Sequence, residues 1–485
     1  MFVGTGSDVG KSVINAAFCR IFKQDGYSPA PFKAQNMSLN SYASKDGLEL
    51  GRAQAVQAEA CQVPCSVDMN PILLKPTDNM NAQVVLGGKP IGNKSAHEYF
   101  NGTDRDALFA QAMAAYGRLA EKYNPIVIEG AGSISELNLR DRDIVNMRVA
   151  LEVQADVYLV ADIDRGGVFG SVYGTLELLP QEERNLIKGV VINKFRGDIQ
   201  LFEDGRRILE EITGIPVVAV IPYYRDIFIE DEDSVVIDSK QRNRNAEKIN
   251  IAVVLLRHMS NFTDFNNLEH QEDIHLFYTA NPTEVENADI VIIPGSKNTI
   301  SDLTHLRATG LAKAILTAHK KNKAVYGICG GYQIMGISIN DPAGVEGTPG
   351  AVPGLGLLPI HTTLTEKKVT EQCQFTFRNK TELCDGYEIH MGETLTERES
   401  PLCTIVREHS PDAVDGFILN ETTWGTYIHG IFDNQCVVNH LLALHGKAEK
   451  QAFDYNEFKE TQFNRLADHV RANCDMAYVY KTLQC

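Results

Sequence analysis

A glycine-rich segment near the N-terminus constrains the fold of this chain more than any other feature. Residues 1–3 (MFV) form a short apolar run with strand character, and the sequence GTGSDVGKS follows directly at residues 4–12. Apolar residues then recur at helical spacing through Val13, Ile14, Ala17, Phe18 and Ile21. A glycine-rich loop between a strand and a helix presents backbone N–H groups to phosphate oxygens. The segment therefore predicts a phosphate-binding loop in an α/β domain.

The phosphate-binding loop predicts a site for MgATP. Lys11 would reach the terminal phosphates, and the Ser12 hydroxyl would bind Mg²⁺. The other residues predicted to surround the nucleotide are Thr5, Gly6, Asp8, Val9 and Gly10. The strict pattern G-x-x-x-x-G-K-[ST] has glycine at the position of Thr5, so a chance Gly-Lys-Ser turn is the alternative. The strand before the loop and the helix after it favour the nucleotide site.

Further apolar strands with helical segments between them predict a doubly wound parallel sheet in this first part of the chain. The strand patterns lie at residues 125–128, 156–162 and 189–195. Glu129 ends the first of these strands. A carboxylate at the carboxyl end of a strand, beside a phosphate loop, is well placed to hold Mg²⁺ directly or through water. The alternative is that Glu129 caps the turn that follows it.

A second glycine-rich turn predicts a nucleophilic cysteine. The sequence YGICGGYQIMG at residues 326–336 is a strand, a sharp turn and an apolar helix, with Cys329 at the turn. Such an elbow exposes a thiol close to backbone N–H groups that can hold an oxyanion. A buried cysteine in an ordinary turn is the alternative. His429, in the stretch TYIHGIFD at residues 426–433, favours catalysis because an imidazole can exchange a proton with the thiol.

The second half of the chain resembles the class I glutamine amidotransferase domains, which have a flavodoxin-like α/β fold. The elbow, the downstream histidine and the strand-turn sequence ADIVIIPGSKN at residues 288–298 carry the resemblance. It implies an oxyanion hole at Gly295 and Gly330, facing Cys329. Such enzymes carry a glutamate two residues after the histidine, whereas this chain has Ile431 there. The third catalytic residue is therefore unassigned, and Asp433 receives no role.

The first half resembles the dethiobiotin synthetase group and, more narrowly, the cobyric acid synthase family. The loop at residues 4–12 and the stretches PFKAQNMSLNS at 31–41 and MNPILLKP at 69–76 carry this resemblance. It implies that Lys33 lies beside the phosphates and the substrate carboxylate. Further substrate or phosphate contacts are implied at Gln35, Asn36 and Asn40, and Asp46 is a tentative metal ligand.

The two resemblances together imply one reaction. Glutamine would supply ammonia through Cys329, and MgATP would activate peripheral carboxylates of a corrinoid, adenosylcobyrinic acid a,c-diamide. Four amidations, at carboxylates b, d, e and g, would give adenosylcobyric acid in cobalamin biosynthesis. Two alternatives remain: a cobyrinic acid a,c-diamide synthase, and a P-loop regulatory ATPase whose amidotransferase domain is inactive.

Length and composition set the limits of these predictions. A chain of 485 residues predicts two to four domains. We expect a synthetase domain at residues 1–228, an acidic and polar linker at 229–248, an amidotransferase domain at 249–445 and a helical tail at 446–485 packed on the second domain. The net charge of −17 argues against a nucleic-acid partner. Ten scattered cysteines, no membrane-length apolar run and no export signal predict a cytoplasmic protein.

Overall fold

The computed structural model describes residues 1–77, 80–102, 104–230, 244–347, 349–406, 413–447 and 453–483. It contains two α/β domains, each built on a largely parallel sheet, and so confirms the predicted fold class. No helix in the described parts of the chain is long and apolar enough to cross a membrane.

The first domain contains strands β1–β12 and helices α1–α7. The strands are β1 (Phe2–Gly4), β2 (Ala30–Phe32), β3 (Gln35–Met37), β4 (Ser41–Ala43), β5 (Glu49–Gly51), β6 (Ile72–Pro76), β7 (Asn81–Leu86), β8 (Lys89–Ser95), β9 (Ile126–Ile128), β10 (Val157–Asp162), β11 (Ile187–Phe195) and β12 (Val217–Pro222). The helices are α1 (Lys11–Gln24), α2 (Arg52–Cys61), α3 (Arg105–Ala120), α4 (Met147–Val153), α5 (Val168–Leu178), α6 (Gln181–Arg184) and α7 (Glu203–Thr213).

The parallel sheet of the first domain places three loops at one edge. Strands β1, β10, β11 and β12 are neighbours in that order, and β2 pairs with β9. A parallel bridge between Phe2 and Glu129 joins the two groups, which gives the order β2-β9-β1-β10-β11-β12. The carboxyl ends of β1, β2 and β9 therefore lie side by side, and these ends lead into the phosphate loop, Lys33 and Glu129.

The second domain contains strands β13–β27 and helices α8–α13. The strands are β13 (Ile249–Val254), β14 (Met259–Ser260), β15 (Ile274–Thr279), β16 (Ile290–Ile293), β17 (Gly295–Ser296), β18 (Ala324–Ile328), β19 (Ser338–Asp341), β20 (Gly350–Pro353), β21 (Ile360–Phe377), β22 (Leu383–Thr396), β23 (Cys403–Val406), β24 (Ala413–Asp415), β25 (Phe417–Asn420), β26 (Thr423–Thr426) and β27 (Ile428–His429). The helices are α8 (Asn266–Glu269), α9 (Pro282–Asn287), α10 (Thr299–Ala308), α11 (Leu311–Lys320), α12 (Gly330–Met335) and α13 (Gln435–Leu444).

Two sheets position the site of the second domain. The first has the order β15-β13-β16-β18-β26-β25 and is parallel except for the pair β25–β26. The second is built on the long antiparallel pair β21–β22, with β27 next to β22. The pairing of Tyr387 with His429 in this second sheet brings the histidine back towards the elbow at the end of β18.

The predicted position of the C-terminal tail is wrong. Helix α14 (Tyr455–Ala472) packs on α1 of the first domain, and α15 (Met476–Thr482) follows it. The side chains of Phe463, Leu466 and Val470 share an apolar core with Phe18 of α1. The helical spacing of these residues predicted that they would be buried, but it carries no information about which domain covers them.

The predicted solvated linker is wrong at Glu230, whereas residues 244–248, its other described part, are exposed or half-buried. Glu230, in the acidic run at residues 229–233, is buried and forms an ion pair with Arg52 of α2, at 2.7 Å between Oε2 and Nε. The positive charge of Arg52 compensates much of the cost of burying the carboxylate, so the pKa of Glu230 lies below its ordinary value although burial raises it. Residues 231–243 of the predicted linker lie outside the described residues.

Candidate active sites

Cys329 lies at a strained turn between β18 and α12. Its backbone has φ of 50° and ψ of −108°, a conformation that few residues with a side chain adopt. The turn is possible because glycines surround it: a Cβ on Gly331 would lie 1.9 Å from the Ile293 carbonyl oxygen. The elbow is therefore pressed against the end of β16, and the Cys329 thiol is directed into a cavity shared with His429.

The predicted oxyanion residues lie on either side of this elbow. Gly295 belongs to β17, which pairs with β14, and a Cβ on Gly295 would lie 3.4 Å from His429 Cε1. A Cβ on Gly330 would lie 2.7 Å from the backbone nitrogen of Ser296. The structure thus brings Gly295, Gly330, Cys329 and His429 together, and their chemical roles remain predictions.

His429 is buried between an acid and the thiol. Its Nδ1 lies 2.7 Å from Asp264 Oδ2, and it also forms a hydrogen bond with Cys329. Burial lowers the pKa of His429, but the negative charges of Asp264 and Cys329 and their hydrogen bonds outweigh burial and raise the pKa to about 10. The arrangement therefore favours an imidazolium at neutral pH, placed beside the nucleophile.

Asp264 holds His429 in the way that the third residue left unassigned by the sequence would. It lies on the 3-10 helix Phe262–Phe265, far from His429 in the sequence, and its Oδ1 accepts a hydrogen bond from the Gly430 N–H at 3.1 Å. Its two oxygens thus fix both the imidazole and the backbone that carries it. The sequence separation of residues 264 and 429 does not predict their contact. The contact depends on the relative positions of β14 and β27, which belong to separate sheets.

The first domain holds the helix that carries Asp264. The Phe262 N–H donates to Asn40 Oδ1 at 3.3 Å, and the Ser41 N–H donates to Asn261 Oδ1 at 3.0 Å. The residues after β3 in the first domain therefore support the catalytic residues of the second domain through direct hydrogen bonds.

His390 shares the cavity, where a carbonyl group and a tyrosine ring fix its imidazole. Its Nδ1 lies 3.0 Å from the Gly392 carbonyl oxygen, and its ring stacks on Tyr427 with 3.8 Å between ring centroids. Burial lowers the pKa of His390 to about 4, so the ring is neutral at physiological pH.

The phosphate loop converges on Glu129. Ser12 Oγ and Lys33 Nζ each donate to Glu129 Oε1 at 2.8 Å, and Gln57 Nε2 donates to Oε2 at 2.6 Å. Lys11 Nζ donates to the carbonyl oxygens of Gly6 and Gly132. Burial raises the pKa of Glu129, but Lys33 and the hydrogen bonds bring it below its ordinary value, so the group is a carboxylate.

The loop backbone has the conformation that a phosphate cradle requires. Gly10 has φ of 93°, and a Cβ there would lie 2.2 Å from Asn193 Nδ2, so only glycine fits. Asn193 Nδ2 in turn donates a hydrogen bond to the Val9 carbonyl oxygen, and the Thr5 N–H donates to the Val160 carbonyl oxygen. Asp8, Gly10, Lys11 and Ser12 line a cavity of about 670 Å³ with Lys33, Asn36 and Glu129.

The structure separates the remaining predicted substrate and metal residues from this cavity. The Gln35 side chain accepts a hydrogen bond from the Tyr99 hydroxyl at 2.6 Å, and Asn40 lies at the domain interface. Asp46 is exposed in the turn between β4 and β5 and does not line the phosphate cavity. The predicted contacts of Gln35, Asn40 and Asp46 are therefore not supported by their positions, because each side chain is placed away from the phosphate cavity.

Comparisons with known proteins agree with this two-site arrangement. Residues 1–235 match the model of the CobQ/CobB/MinD/ParA nucleotide binding domain, and residues 250–437 match the CobB/CobQ-like glutamine amidotransferase domain. A protein of Bacteroides fragilis named cobyric acid synthase is 56% identical over 485 residues, covering 100% of this chain and 98% of the relative. The chain belongs to the cobyric acid synthase family.

Members of the cobyric acid synthase family from other bacteria are similar over the same length. The relative from Parabacteroides distasonis is 57% identical over 488 residues, covering 100% of this chain and 98% of its own. That from Chlorobium phaeobacteroides is 48% identical over 491 residues, covering 99% and 98% of the two chains. The similarity therefore spans both domains and the C-terminal helices.

Proposed function

We propose that this protein catalyses the glutamine- and ATP-dependent amidation of carboxylates b, d, e and g of adenosylcobyrinic acid a,c-diamide, giving adenosylcobyric acid. The observation that carries the proposal is the pairing, on one chain, of a Cys329–His429–Asp264 site with a phosphate loop that converges on Lys33 and Glu129. Full-length membership of the cobyric acid synthase family supports the choice of corrinoid and amides.

The second domain would release ammonia by covalent catalysis. The Cys329 thiolate attacks the side-chain amide carbon of glutamine, and the backbone N–H groups at Gly295 and Gly330 stabilise the oxyanion. The His429 imidazolium donates its proton to the departing nitrogen, which leaves as NH₃. The glutamyl group remains on Cys329 as a thioester. His429 then takes a proton from water as the water attacks the thioester, and glutamate and the thiolate are regenerated. Asp264 holds the ring for both proton transfers.

The first domain would activate the acceptor carboxylate. The loop N–H groups and Lys11 hold the phosphates of ATP, and Lys33 neutralises charge between the γ-phosphate and the incoming carboxylate. Transfer of the γ-phosphoryl group gives an acyl phosphate and ADP, and ammonia then displaces phosphate to form the amide. Activation is needed because a free carboxylate is a poor electrophile.

The residues present fit a magnesium ion. The Ser12 hydroxyl and the Glu129 carboxylate are hard oxygen donors 2.8 Å apart, at the phosphate loop. When bound, Mg²⁺ would neutralise charge on the phosphate oxygens, and Ser12 and Glu129 would hold it directly or through water.

A substitution of the nucleophile tests the assignment of the two sites. We expect Cys329→Ala to lose glutamine-dependent amidation and to keep amidation supported by added ammonium chloride. Cys373→Ala, which removes another buried cysteine of the same domain, should keep both activities. Glutamine-dependent amidation retained in Cys329→Ala would contradict the mechanism.

The substrate is tested separately. Purified protein is incubated with MgATP, glutamine and the corrinoid diamide, and the number of new amides is counted by mass spectrometry. Four amides are expected. Amidation of the a and c carboxylates of the unamidated corrinoid instead would support the diamide synthase alternative, and no amidation with either nitrogen source would favour a regulatory ATPase.

A further inference from the structure

The cavity beside Cys329 contains two charged side chains that the proposed glutaminase mechanism does not use. Lys297 and Glu346 both line this cavity, together with Cys329 and His429. Lys297 follows Gly295 by two residues, and its ammonium group is close enough to Cys329 for their charges to interact. A cation and an acid therefore lie at the space that the side-chain amide of glutamine must enter.

Lys297 differs from the other lysines of this cavity in having no carboxylate partner. Lys75 and Lys368 line the same cavity, and each forms an ion pair with the buried Glu49. No acid in the described part of the chain forms an ion pair or a side-chain hydrogen bond with Lys297, which is partly buried. Burial and the charge of Lys75 lower the pKa of Lys297 to about 8. An anion bound in the cavity would offset this cost of burying the ammonium group.

Glu346 is held at the cavity by backbone groups. Its Oε2 accepts a hydrogen bond from the Ile300 N–H at 3.0 Å, in the first turn of α10, and its own N–H donates to Asp341 Oδ2 at 2.9 Å. Burial raises the pKa of Glu346, and the charge of Lys297 opposes the shift although the two residues form no ion pair. The two opposite charges therefore line one cavity without neutralising each other directly.

Gln333 lines the same cavity but uses both ends of its amide within the wall. Its Oε1 accepts a hydrogen bond from Thr299 Oγ1 at 3.1 Å, and its Nε2 donates to the Tyr427 hydroxyl at 3.1 Å. Free glutamine is a zwitterion whose α-carboxylate and α-ammonium groups lie two methylene groups from the amide carbon. Both charges need partners when water is removed from them, and Lys297 and Glu346 supply one of each sign.

We propose that Lys297 binds the α-carboxylate of glutamine and that Glu346 binds its α-ammonium group. The inference rests on the proposed function, in which Cys329 hydrolyses glutamine. With both charges of the zwitterion held, its side-chain amide is directed to Cys329. The two residues also reject simple primary amides and the glutamine residues of peptides, because these lack one or both charges.

Substrate analogues test the two contacts separately. The rate of side-chain amide hydrolysis is measured with glutamine, with glutaminamide, in which a neutral amide replaces the α-carboxylate, and with 4-carbamoylbutanoate, which lacks the α-ammonium group. Wild-type protein should prefer glutamine over each analogue by at least ~10²-fold in kcat/KM, because an analogue leaves one charged residue without its partner.

Each variant should lose one of these preferences and keep the other. Lys297→Met should raise KM for glutamine at least ~10-fold, with kcat within about threefold of wild type. Its preference for glutamine over glutaminamide should fall below about fivefold, while its preference over 4-carbamoylbutanoate stays at the wild-type value. Glu346→Gln should show the converse pattern, and Lys297→Arg should keep most of the preference over glutaminamide because it keeps the positive charge.

Controls separate these contacts from effects on folding. Lys313→Met and Glu366→Gln change exposed residues of the same charges and should leave all three substrates at wild-type rates. Amidation with saturating ammonium chloride bypasses the cavity and should stay within about twofold of wild type in every variant.

The outcomes distinguish the proposal from a structural role. A wild-type preference over glutaminamide in Lys297→Met, or over 4-carbamoylbutanoate in Glu346→Gln, would overturn the assignment of that residue. An equal loss with all three substrates, or a lower kcat at unchanged KM, would also overturn it. If the wild type hydrolyses no glutamine, the proposed function fails instead.

Discussion

Replacing Asp264 by asparagine isolates the contact that organises the glutaminase site. The two carboxylate oxygens accept separate hydrogen bonds, from His429 Nδ1 at 2.7 Å and from the Gly430 N–H at 3.1 Å. An asparagine can present only one oxygen. If that oxygen keeps the Gly430 N–H, the NH₂ group faces Nδ1 and forces the imidazole into the tautomer that carries its proton on Nε2. That tautomer is neutral and cannot accept a proton from the thiol.

The structure gives a magnitude for this loss. A pKa of about 10 for His429, against an ordinary value near 6.5, corresponds to about 5 kcal/mol in favour of the imidazolium. Asp264 and Cys329 both contribute, so removing the acid should cost about half of this, or a factor of about 10² in rate. We therefore expect Asp264→Asn to lower kcat for glutamine hydrolysis by at least ~10²-fold, because orientation is lost as well as charge.

The assay is glutamate release, measured beside amidation with added ammonium chloride. The latter should stay within about twofold of wild type, since it bypasses Cys329 and His429. Asp385→Asn, an exposed acid on β22, serves as the matched control and should leave both rates unchanged. Glutamate release by Asp264→Asn within about threefold of wild type would refute the triad, and a parallel loss of ammonia-dependent amidation would point to misfolding.

Three further predictions concern the first domain, the tail and pH. Glu129→Gln leaves the buried positive charge of Lys33 without its carboxylate partner. It should abolish phosphate release and amidation with either nitrogen source, while glutamate release persists. Amidation near the wild-type rate would contradict this. Leu466→Ala should lower the free energy of unfolding by about 2–4 kcal/mol in urea titrations. The control Leu201→Ala, at a residue that is 83% exposed, should change it by under ~0.5 kcal/mol. Equal effects of the two substitutions would contradict the packing of α14 on α1. Burial raises the pKa of Asp433 from 3.8 to about 8, so the stabilising contribution of the protonated group is intact below pH 4 and is lost as the pH rises through 8. The variant Asp433→Asn should therefore be more stable than wild type by about 1–3 kcal/mol at pH 9 and equal to it near pH 4. A stability difference that does not change across this pH range would contradict the shift.

Residues whose roles depend on local backbone could be recognised before any tertiary structure was known. The phosphate loop needs glycine at residue 10 because Asn193 occupies the space of a Cβ, and the elbow needs glycines around Cys329 because β16 presses against it. Both requirements leave a signature within a dozen residues. Gln35 and Asn40 show the limit of resemblance, because a matching stretch does not say which of its side chains turn towards the phosphates.

The sequence by itself determined the two α/β domains, the phosphate loop and the identity of Cys329 and His429 as partners. Tertiary structure alone decided that Asp264 completes this pair, that Lys75 of the first domain reaches the cysteine cavity, and that helix α14 covers α1. The physical reason is that sequence patterns are local, whereas these contacts join segments that are far apart in the chain. Periodicity and glycine spacing report the conformation and burial of one segment, whereas these three contacts arise from the order of strands in separate sheets and from how the two domains meet.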